Sequence, residues 1–135
     1  IVLLDGAHNP NGIEALKSAI QKFLPNKYII AITGMLADKD VSTSVKLLDG
    51  VFDRVYTVPV HNPRAMHPAK LTQQYARFVD DTVTFESAEH AFDMAFEQAE
   101  KTDCAVVICG SLYLAGEIRP YIINKIKAEN ESAEK

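Results

Sequence analysis

The stretch that decides the fold is YIIAITGMLADKD, residues 28–40. Its first six residues, 28–33, form an apolar run that is typical of a strand covered on both faces of a sheet. Gly34 then turns the chain, and Asp40 supplies a side-chain oxygen suited to capping a helix that follows. The stretch therefore predicts a strand, a polar loop and a helix, in that order.

The same order repeats along the whole chain. Apolar runs predict strands at residues 1–4, 28–33, 54–58, 82–85 and 105–109. A helix is predicted after each strand, starting after Asp40, at Pro68 and after Ser87 in the middle three cases. The apolar stripes of four of these helices are Ile13, Leu16, Ile20 and Phe23; Leu71, Tyr75 and Phe78; Ala88, Phe92, Ala95 and Ala99; and Ala115, Ile118, Ile122 and Ile126.

Repeated strand-helix units imply right-handed crossovers, so the chain is predicted to be of the α/β class. We expect a doubly wound, mainly parallel, Rossmann-like sheet of five or six strands. Residues 1–127 form one domain in this interpretation, and the charged segment 128–135 is expected to fray. Because Ile1 already lies in a predicted strand, we expect the domain to belong to a longer protein.

Composition narrows the class of function. The chain has 135 residues, 47% of them hydrophobic, and a net charge of -4 with 14 basic residues that form no run. This balance argues against nucleic-acid binding, and apolar stretches of strand length argue against a membrane span. Cys104 and Cys109 lie five residues apart in one predicted strand, so they face opposite sides and do not pair. We expect a reduced, cytoplasmic monomer.

Every loop that follows a strand in such a sheet opens on the same edge, so the contents of the loops can be considered together. Three of the four histidines, Lys39, Arg64 and Ser111 all fall in these loops. Their convergence predicts an anionic ligand held by cations and helix N-termini. The five loops read DGAHNPNG (5–12), GMLADKD (34–40), HNPRAMHP (61–68), ESA (86–88) and CGSLYLAG (109–116).

Three familiar ligand signatures are missing from these loops. No GxGxxG pattern follows the first strand, and none of the six glycines begins a Walker A loop, so the phosphates of a nucleotide would have to be cradled outside this chain. A phosphoacceptor receiver domain would need paired acids after the first strand and a lysine after the last, and neither is present. A stand-alone nucleotide or small-molecule sensor on the same fold stays open as an alternative.

Four of the motifs together resemble a known family. DGAHNP (5–10), GMLADKD (34–40) and CGSLYLAGE (109–117) resemble the carboxy-terminal domain of bacterial folylpolyglutamate synthase/dihydrofolate synthase, in the Mur ligase superfamily. HNPRA (61–65) is similar to the DNPR segment by which some Mur ligases grip the incoming amino acid, with His61 in place of that aspartate. The resemblance spans nearly the whole chain, and its motifs occur in the family's order.

The resemblance implies a division of labour between two domains. An N-terminal ATPase domain, absent from this chain, would hold ATP and Mg²⁺ and phosphorylate a folate or dihydropteroate carboxylate. The carboxy-terminal domain would close over it and present glutamate, whose amine attacks the acyl phosphate. Positioning and charge stabilisation dominate catalysis of this kind. The chain by itself is therefore expected to lack ligase and ATPase activity.

Residue roles follow from the same resemblance. It implies that Asp5 contacts the ATP ribose and that His8, beside it, is catalytic and suits a phosphate or carboxylate neighbour. It also implies that glutamate is bound by Lys39, Arg64, Ser111 and His61. No metal ligand is predicted on this chain.

Each role has a plainer alternative from the residues alone. Asp5 also suits a turn cap, and His8 also suits a loop histidine that bonds to backbone. Lys39 also suits a solvated surface, and Ser111 also suits a helix N-cap. Arg64 lies next to a proline and offers a bidentate fork to a carboxylate. His67 and His90 are weaker candidates, with His90 expected to face solvent from inside a helix.

Overall fold

A computed structural model describes residues 1–37 and 40–134, and shows five strands alternating with five helices. The strands pair only in parallel, in the order β1-β5-β2-β3-β4, which confirms the predicted α/β class. The elements are β1 Val2–Leu4, α1 Pro10–Phe23, β2 Tyr28–Thr33, α2 Val41–Leu47, β3 Arg54–Thr57, α3 Pro68–Tyr75, β4 Thr82–Thr84, α4 Ala88–Lys101, β5 Cys104–Cys109 and α5 Leu112–Glu134.

The helices cover the sheet on both faces. Buried side chains of α1, α2 and α3 pack in one core cluster, and those of α4 and α5 pack in the other. Cys109 belongs to the first cluster and Cys104 to the second, so the two thiols do lie on opposite faces. The continuous apolar runs of β2 and β5 are explained by this double covering, because both strands are buried almost from end to end.

Helix starts follow the predicted signals in most cases. The Asn9 side chain accepts a hydrogen bond from the Gly12 N–H at 2.9 Å, and the Ser87 hydroxyl accepts one from the His90 N–H at 3.1 Å. Pro68 opens α3 as expected. Asp40 is different. It occupies the N-cap position of α2, but its side chain makes no capping hydrogen bond.

Two residues of the predicted apolar stripes are not fully buried in the structure. Phe23 is 71% exposed, because it is the last residue of α1 and the chain turns there so that Leu24 packs inward instead. Phe78 lies beyond the end of α3 and is only partly buried against the core. Both differences come from helix ends, where the 3.6-residue periodicity stops predicting which side faces the core.

The last helix is longer than the sequence suggested. It runs as helix through Glu134, over the charged segment for which fraying was predicted, and the fraying itself stays a prediction. Tyr121 ties α5 to α4 by donating its hydroxyl to the Asp93 carboxylate at 2.7 Å, and Lys125 lies 3.1 Å from the same carboxylate. Within residues 1–37 and 40–134, no helix combines the length and the apolar character needed to cross a membrane.

Candidate functional site

A crevice opens at the carboxyl edge of the sheet where neighbouring strands send their helices to opposite faces. β1 and β2 lead to helices on one face, whereas β5, which lies between them, leads to α5 on the other. Open α/β sheets bind ligands at such topological switch points. This first crevice encloses about 180 Å³ and is lined by His8, Leu36, Arg64, Ser111, Leu112 and Tyr113. Three of the six predicted site residues are therefore brought together: His8, Arg64 and Ser111.

Ser111 caps the helix that begins at the crevice. Its side chain is buried, and its Oγ accepts hydrogen bonds from the N–H groups of Tyr113 at 3.1 Å and Leu114 at 3.3 Å. The preceding Gly110 has a φ of +105°, and a Cβ there would lie 2.6 Å from the Gly34 carbonyl oxygen. Glycine is thus required at position 110 for the loop after β5 to pack against the loop after β2.

His8 is held by the backbone of its own loop. Its Nδ1 lies 2.9 Å from the carbonyl oxygen of Gly6. Because a carbonyl oxygen only accepts, Nδ1 carries the proton, and Nε2 of the neutral ring is a hydrogen-bond acceptor. The Gly6 backbone in turn packs against the Leu112 side chain. This contact sets the first loop directly against the start of α5.

Arg64 is positioned by contacts between two loops. The Arg64 N–H donates to the Asn62 side-chain oxygen at 2.9 Å, and the Arg64 carbonyl accepts from the Ala37 N–H at 2.7 Å. Leu36 and Ala65 form an isolated antiparallel bridge beside it. The loop after β3 is therefore joined to the loop after β2. A guanidinium at this point offers N–H donors in a fixed fork.

Asp5 lies at the end of β1, outside the residues that line the crevice. Its Oδ1 accepts the Ala7 N–H at 2.7 Å, which is the turn-capping role expected as the plainer alternative. Burial, with a smaller contribution from the nearby Asp5 carboxylate, raises the pKa of the neighbouring Cys109 thiol to about 12. This thiol stays protonated at neutral pH, so it is not a nucleophile for the site.

His61 is not among the residues found to line the crevice. The His61 side chain is 82% exposed, and its Nδ1 lies 3.4 Å from a carboxylate oxygen of Glu117. The His61 N–H also donates to that carboxylate, at 3.2 Å. Lys39 lies outside the described residues. Their glutamate-binding roles both stay predictions.

Sequence reasoning missed three apolar or aromatic residues of the crevice and one partner of the site. Leu36, Leu112 and Tyr113 line it, and Glu117 pairs with His61. The signal that could have found them is position, because each lies inside one of the quoted motifs, GMLADKD or CGSLYLAGE. Their chemistry gave no reason to single them out.

A second crevice opens farther along the same edge, between the start of α3 and the end of β4. It encloses about 470 Å³ and is lined by Pro59, His67, Pro68, Thr84, Phe85 and Glu86. Nδ1 of His67 accepts the Ala69 N–H at 3.1 Å, so in the neutral ring Nε2 carries the proton. This arrangement is the reverse of the one at His8. His90, expected to face solvent, is exposed and packs edge-on against Phe85, with ring centroids 5.2 Å apart.

In the part of the chain that the structure describes, no group of three or more His, Cys, Asp and Glu side chains is placed to hold a metal ion. The described donor set thus does not fit a Mg²⁺ site of its own.

The family is identified by comparison with known proteins. The model of the Mur ligase, glutamate ligase domain matches residues 1–112. The chain belongs to this family. It is 35% identical over 124 residues to a folylpolyglutamate synthase of Lacticaseibacillus casei, covering 91% of this chain and 27% of that protein. The predicted family resemblance is confirmed.

Solved structures of family members share the fold. The structure of E. coli FolC in complex with DHPP and ADP has a TM-score of 0.81 and 29% identity, covering 92% of this chain and 29% of that one. A bifunctional folylpolyglutamate synthase/dihydrofolate synthase from Yersinia pestis, complexed with AMPPNP and Mn ion, has a TM-score of 0.77 and 26% identity, covering 90% and 28%. The chain spans a little over a quarter of the length of these three proteins.

Proposed function

We propose that this chain is the glutamate-binding, nucleotide-closing domain of an ATP-dependent folate amide ligase. The observation that carries the proposal is the first crevice, where His8, Arg64 and Ser111 converge in a member of the glutamate ligase domain family. Arg64 and the buried Ser111 offer N–H and O–H donors suited to carboxylates, and an amino acid substrate carries such groups. We propose that the enzyme is a cytoplasmic monomer.

The chemistry is shared with the part of the ligase that precedes this domain. An N-terminal ATPase domain holds ATP and Mg²⁺ and converts a folate or dihydropteroate carboxylate into an acyl phosphate. The present domain closes over it and supplies glutamate in a dry, oriented site. The relatives solved with ADP or with AMPPNP and Mn ion support the use of a nucleotide and a metal.

Residue roles within the proposal divide between two ligands. Asp5 serves the ATP ribose, from the first loop. Arg64 and Ser111 serve the glutamate carboxylates, together with Lys39 and His61. His8 lies between these two groups, because it shares the loop of Asp5 and lines the crevice of Arg64.

The test is a reconstitution with the complete ligase. The full-length enzyme should release ADP and form a glutamylated folate or dihydropteroate only when glutamate is present. The chain by itself should do neither, because it has no phosphate-binding loop. Glutamate-dependent ADP release by the chain alone would contradict the proposed division.

Titration calorimetry separates this proposal from the sensor alternative. The chain alone should bind ATP and glutamate weakly, because each ligand finds only part of its contacts on this domain. Micromolar or tighter affinity for either ligand would instead favour a stand-alone binding domain.

A further inference from the structure

Glu117, on α5, holds the start of the loop after β3 with both of its carboxylate oxygens. Oε1 accepts the backbone N–H of His61 at 3.2 Å, and Oε2 lies 3.4 Å from Nδ1 of the same residue. The two oxygens therefore contact different parts of His61. The contact to the N–H does not depend on the imidazole, because it uses the main chain alone.

The end of the same loop is held by the loop after β2. The Arg64 carbonyl accepts the Ala37 N–H at 2.7 Å, and the Met66 N–H donates to the Met35 carbonyl at 2.8 Å. Between the two ends, the Arg64 N–H donates to the Asn62 side chain at 2.9 Å. The loop is thus joined to α5 at its start and to the loop after β2 at its end.

Packing against the core does not fix the first part of this loop. Val60 is buried, and a Cβ on Gly34 would lie 2.6 Å from the Val60 Cγ2, so the chain is tightly packed up to that residue. Residues 61–64, which follow, are exposed or half-buried. Their course therefore depends on hydrogen bonds to neighbouring elements, and Glu117 provides such a contact from α5.

We propose that Glu117 is a positioning residue, which holds the loop after β3 against α5 and thereby sets where Arg64 lies in the first crevice. This inference rests on the proposed function and deepens it. Ser111, which lines the same crevice, caps the start of α5, and Glu117 lies six residues farther along, which is about 9 Å of helix. One helix therefore fixes both Ser111 and the loop that carries Arg64.

Steady-state kinetics of the complete ligase tests this role. Glu117→Ala should raise the KM for glutamate about tenfold, because a hydrogen bond to a charged group is lost, and should leave kcat within about twofold. Glu117→Gln keeps a side-chain oxygen that can accept the N–H, so the KM should rise less than about threefold. The matched control is Glu131→Ala, at an exposed glutamate farther along α5, which should change neither constant.

Two outcomes of the single substitutions would overturn the inference. One is a KM for glutamate that rises less than about threefold in Glu117→Ala. The other is a kcat that falls as much as the KM rises, because that result indicates general damage to the domain rather than a misplaced loop. Rescue by Glu117→Gln supports the inference, since a lost acceptor is then the cause.

Two double variants show which contact carries the effect. The rise in KM caused by Glu117→Ala should persist in a His61→Ala background, because the backbone N–H at position 61 remains. It should disappear in an Arg64→Ala background, because that loop then has no guanidinium to position. An effect that disappears with His61→Ala, or that persists in full with Arg64→Ala, would overturn the inference.

Hydrogen exchange of the chain tests the contact without any ligand. The His61 amide should be protected in the unchanged chain, and Glu117→Ala should speed its exchange about tenfold, whereas Glu131→Ala should not change it. An unprotected His61 amide in the unchanged chain would overturn the inference and leave the proposed function standing. A protected amide together with an unchanged glutamate KM in Arg64→Ala would confirm the contact and contradict the proposed function.

Discussion

The two crevices on the carboxyl edge have the same architectural origin and different chemistry. At both, adjacent strands send their helices to opposite faces, and at both a histidine stands just before or at the start of a helix. The first encloses about 180 Å³ and gathers Arg64 and Ser111, whereas the second encloses about 470 Å³ and gathers two prolines, Phe85 and Glu86. The smaller one carries the groups that we propose bind an amino acid.

The topology of the sheet sets where the crevices lie, and the side chains at each crevice determine what it can bind. The sheet order makes a crevice wherever the winding direction changes, so a crevice alone identifies no function. The histidines of the two crevices differ in the hydrogen bond that Nδ1 makes. His8 donates from Nδ1 to a carbonyl, whereas Nδ1 of His67 accepts a backbone N–H. Of these two rings, that of His8 therefore keeps Nε2 as its acceptor, whereas that of His67 uses Nδ1.

The largest expected effect is a loss of stability when the loop after β5 can no longer pack against the loop after β2. Gly110→Ala should destabilise the chain by about 3 kcal/mol or more, because it adds a contact with the Gly34 carbonyl to the strain of a positive φ. The matched control is Gly50→Ala, where φ is +81° and nothing lies within 4 Å of the added Cβ. It should cost about 1 kcal/mol, from strain alone. Urea unfolding measures both, and equal costs would show that the loop contact is unimportant.

The next effect tests the chemistry of the first crevice. Arg64→Ala in the complete ligase should raise the KM for glutamate tenfold to a hundredfold, since losing a charge-assisted hydrogen bond costs about 1.5 to 3 kcal/mol. Lys70→Ala is the control, because Lys70 is an exposed cation on α3 that does not line the first crevice. Steady-state kinetics at varied glutamate concentration gives the comparison. An unchanged KM in Arg64→Ala would remove Arg64 from the site.

Asp5→Ala should have an effect of the same size on the other ligand. We expect the KM for ATP to rise tenfold to a hundredfold while the KM for glutamate changes little, because the first loop is assigned to the nucleotide. The variant should still fold, since Asp5 lies in a loop outside the core. If Asp5→Ala changed the glutamate dependence and Arg64→Ala did not, the assignments of the two loops would be reversed.

Local sequence was sufficient to predict the elements and the shared edge. Apolar runs such as residues 28–33 report burial directly, and the carboxyl ends of parallel strands must meet on one side. No local sequence pattern predicts that β5 lies between β1 and β2. That insertion is what brings Ser111 beside His8.

The sequence did not predict which residues of a given loop line the first crevice. His61 and Arg64 are three residues apart, yet only Arg64 lines the first crevice. The turn made by Asn62 and the bridge at Ala65 direct the chain between them. The turn is made within this loop, whereas the bridge has its partner, Leu36, in the loop after β2. Loop composition therefore indicated which loops form the site. It could not distinguish, within one loop, the residues that line the crevice from those that do not.

The smallest effect at neutral pH concerns the polar groups beneath each crevice. Burial raises the pKa of Cys109 from its ordinary 9.0 to about 12, so ionisation favours the unfolded chain at alkaline pH. The stability that this thiol contributes is full below pH 9.0 and is lost as pH rises towards 12, by at most about 1.4 kcal/mol per pH unit. Cys109→Ala should flatten this fall in the free energy of unfolding.

The control for that measurement is a substitution of a hydroxyl group behind the second crevice. Behind it, Thr57 and Thr72 join their hydroxyls at 2.7 Å, and Thr72 and Thr84 join theirs at 2.6 Å. Hydroxyls do not ionise in this range, so Thr57→Val should lower stability by a similar amount at every pH. Urea unfolding followed across the alkaline range separates a changed slope from a constant offset. An unaltered slope in Cys109→Ala would show that Tyr75, whose pKa is also raised by burial, causes the alkaline loss instead.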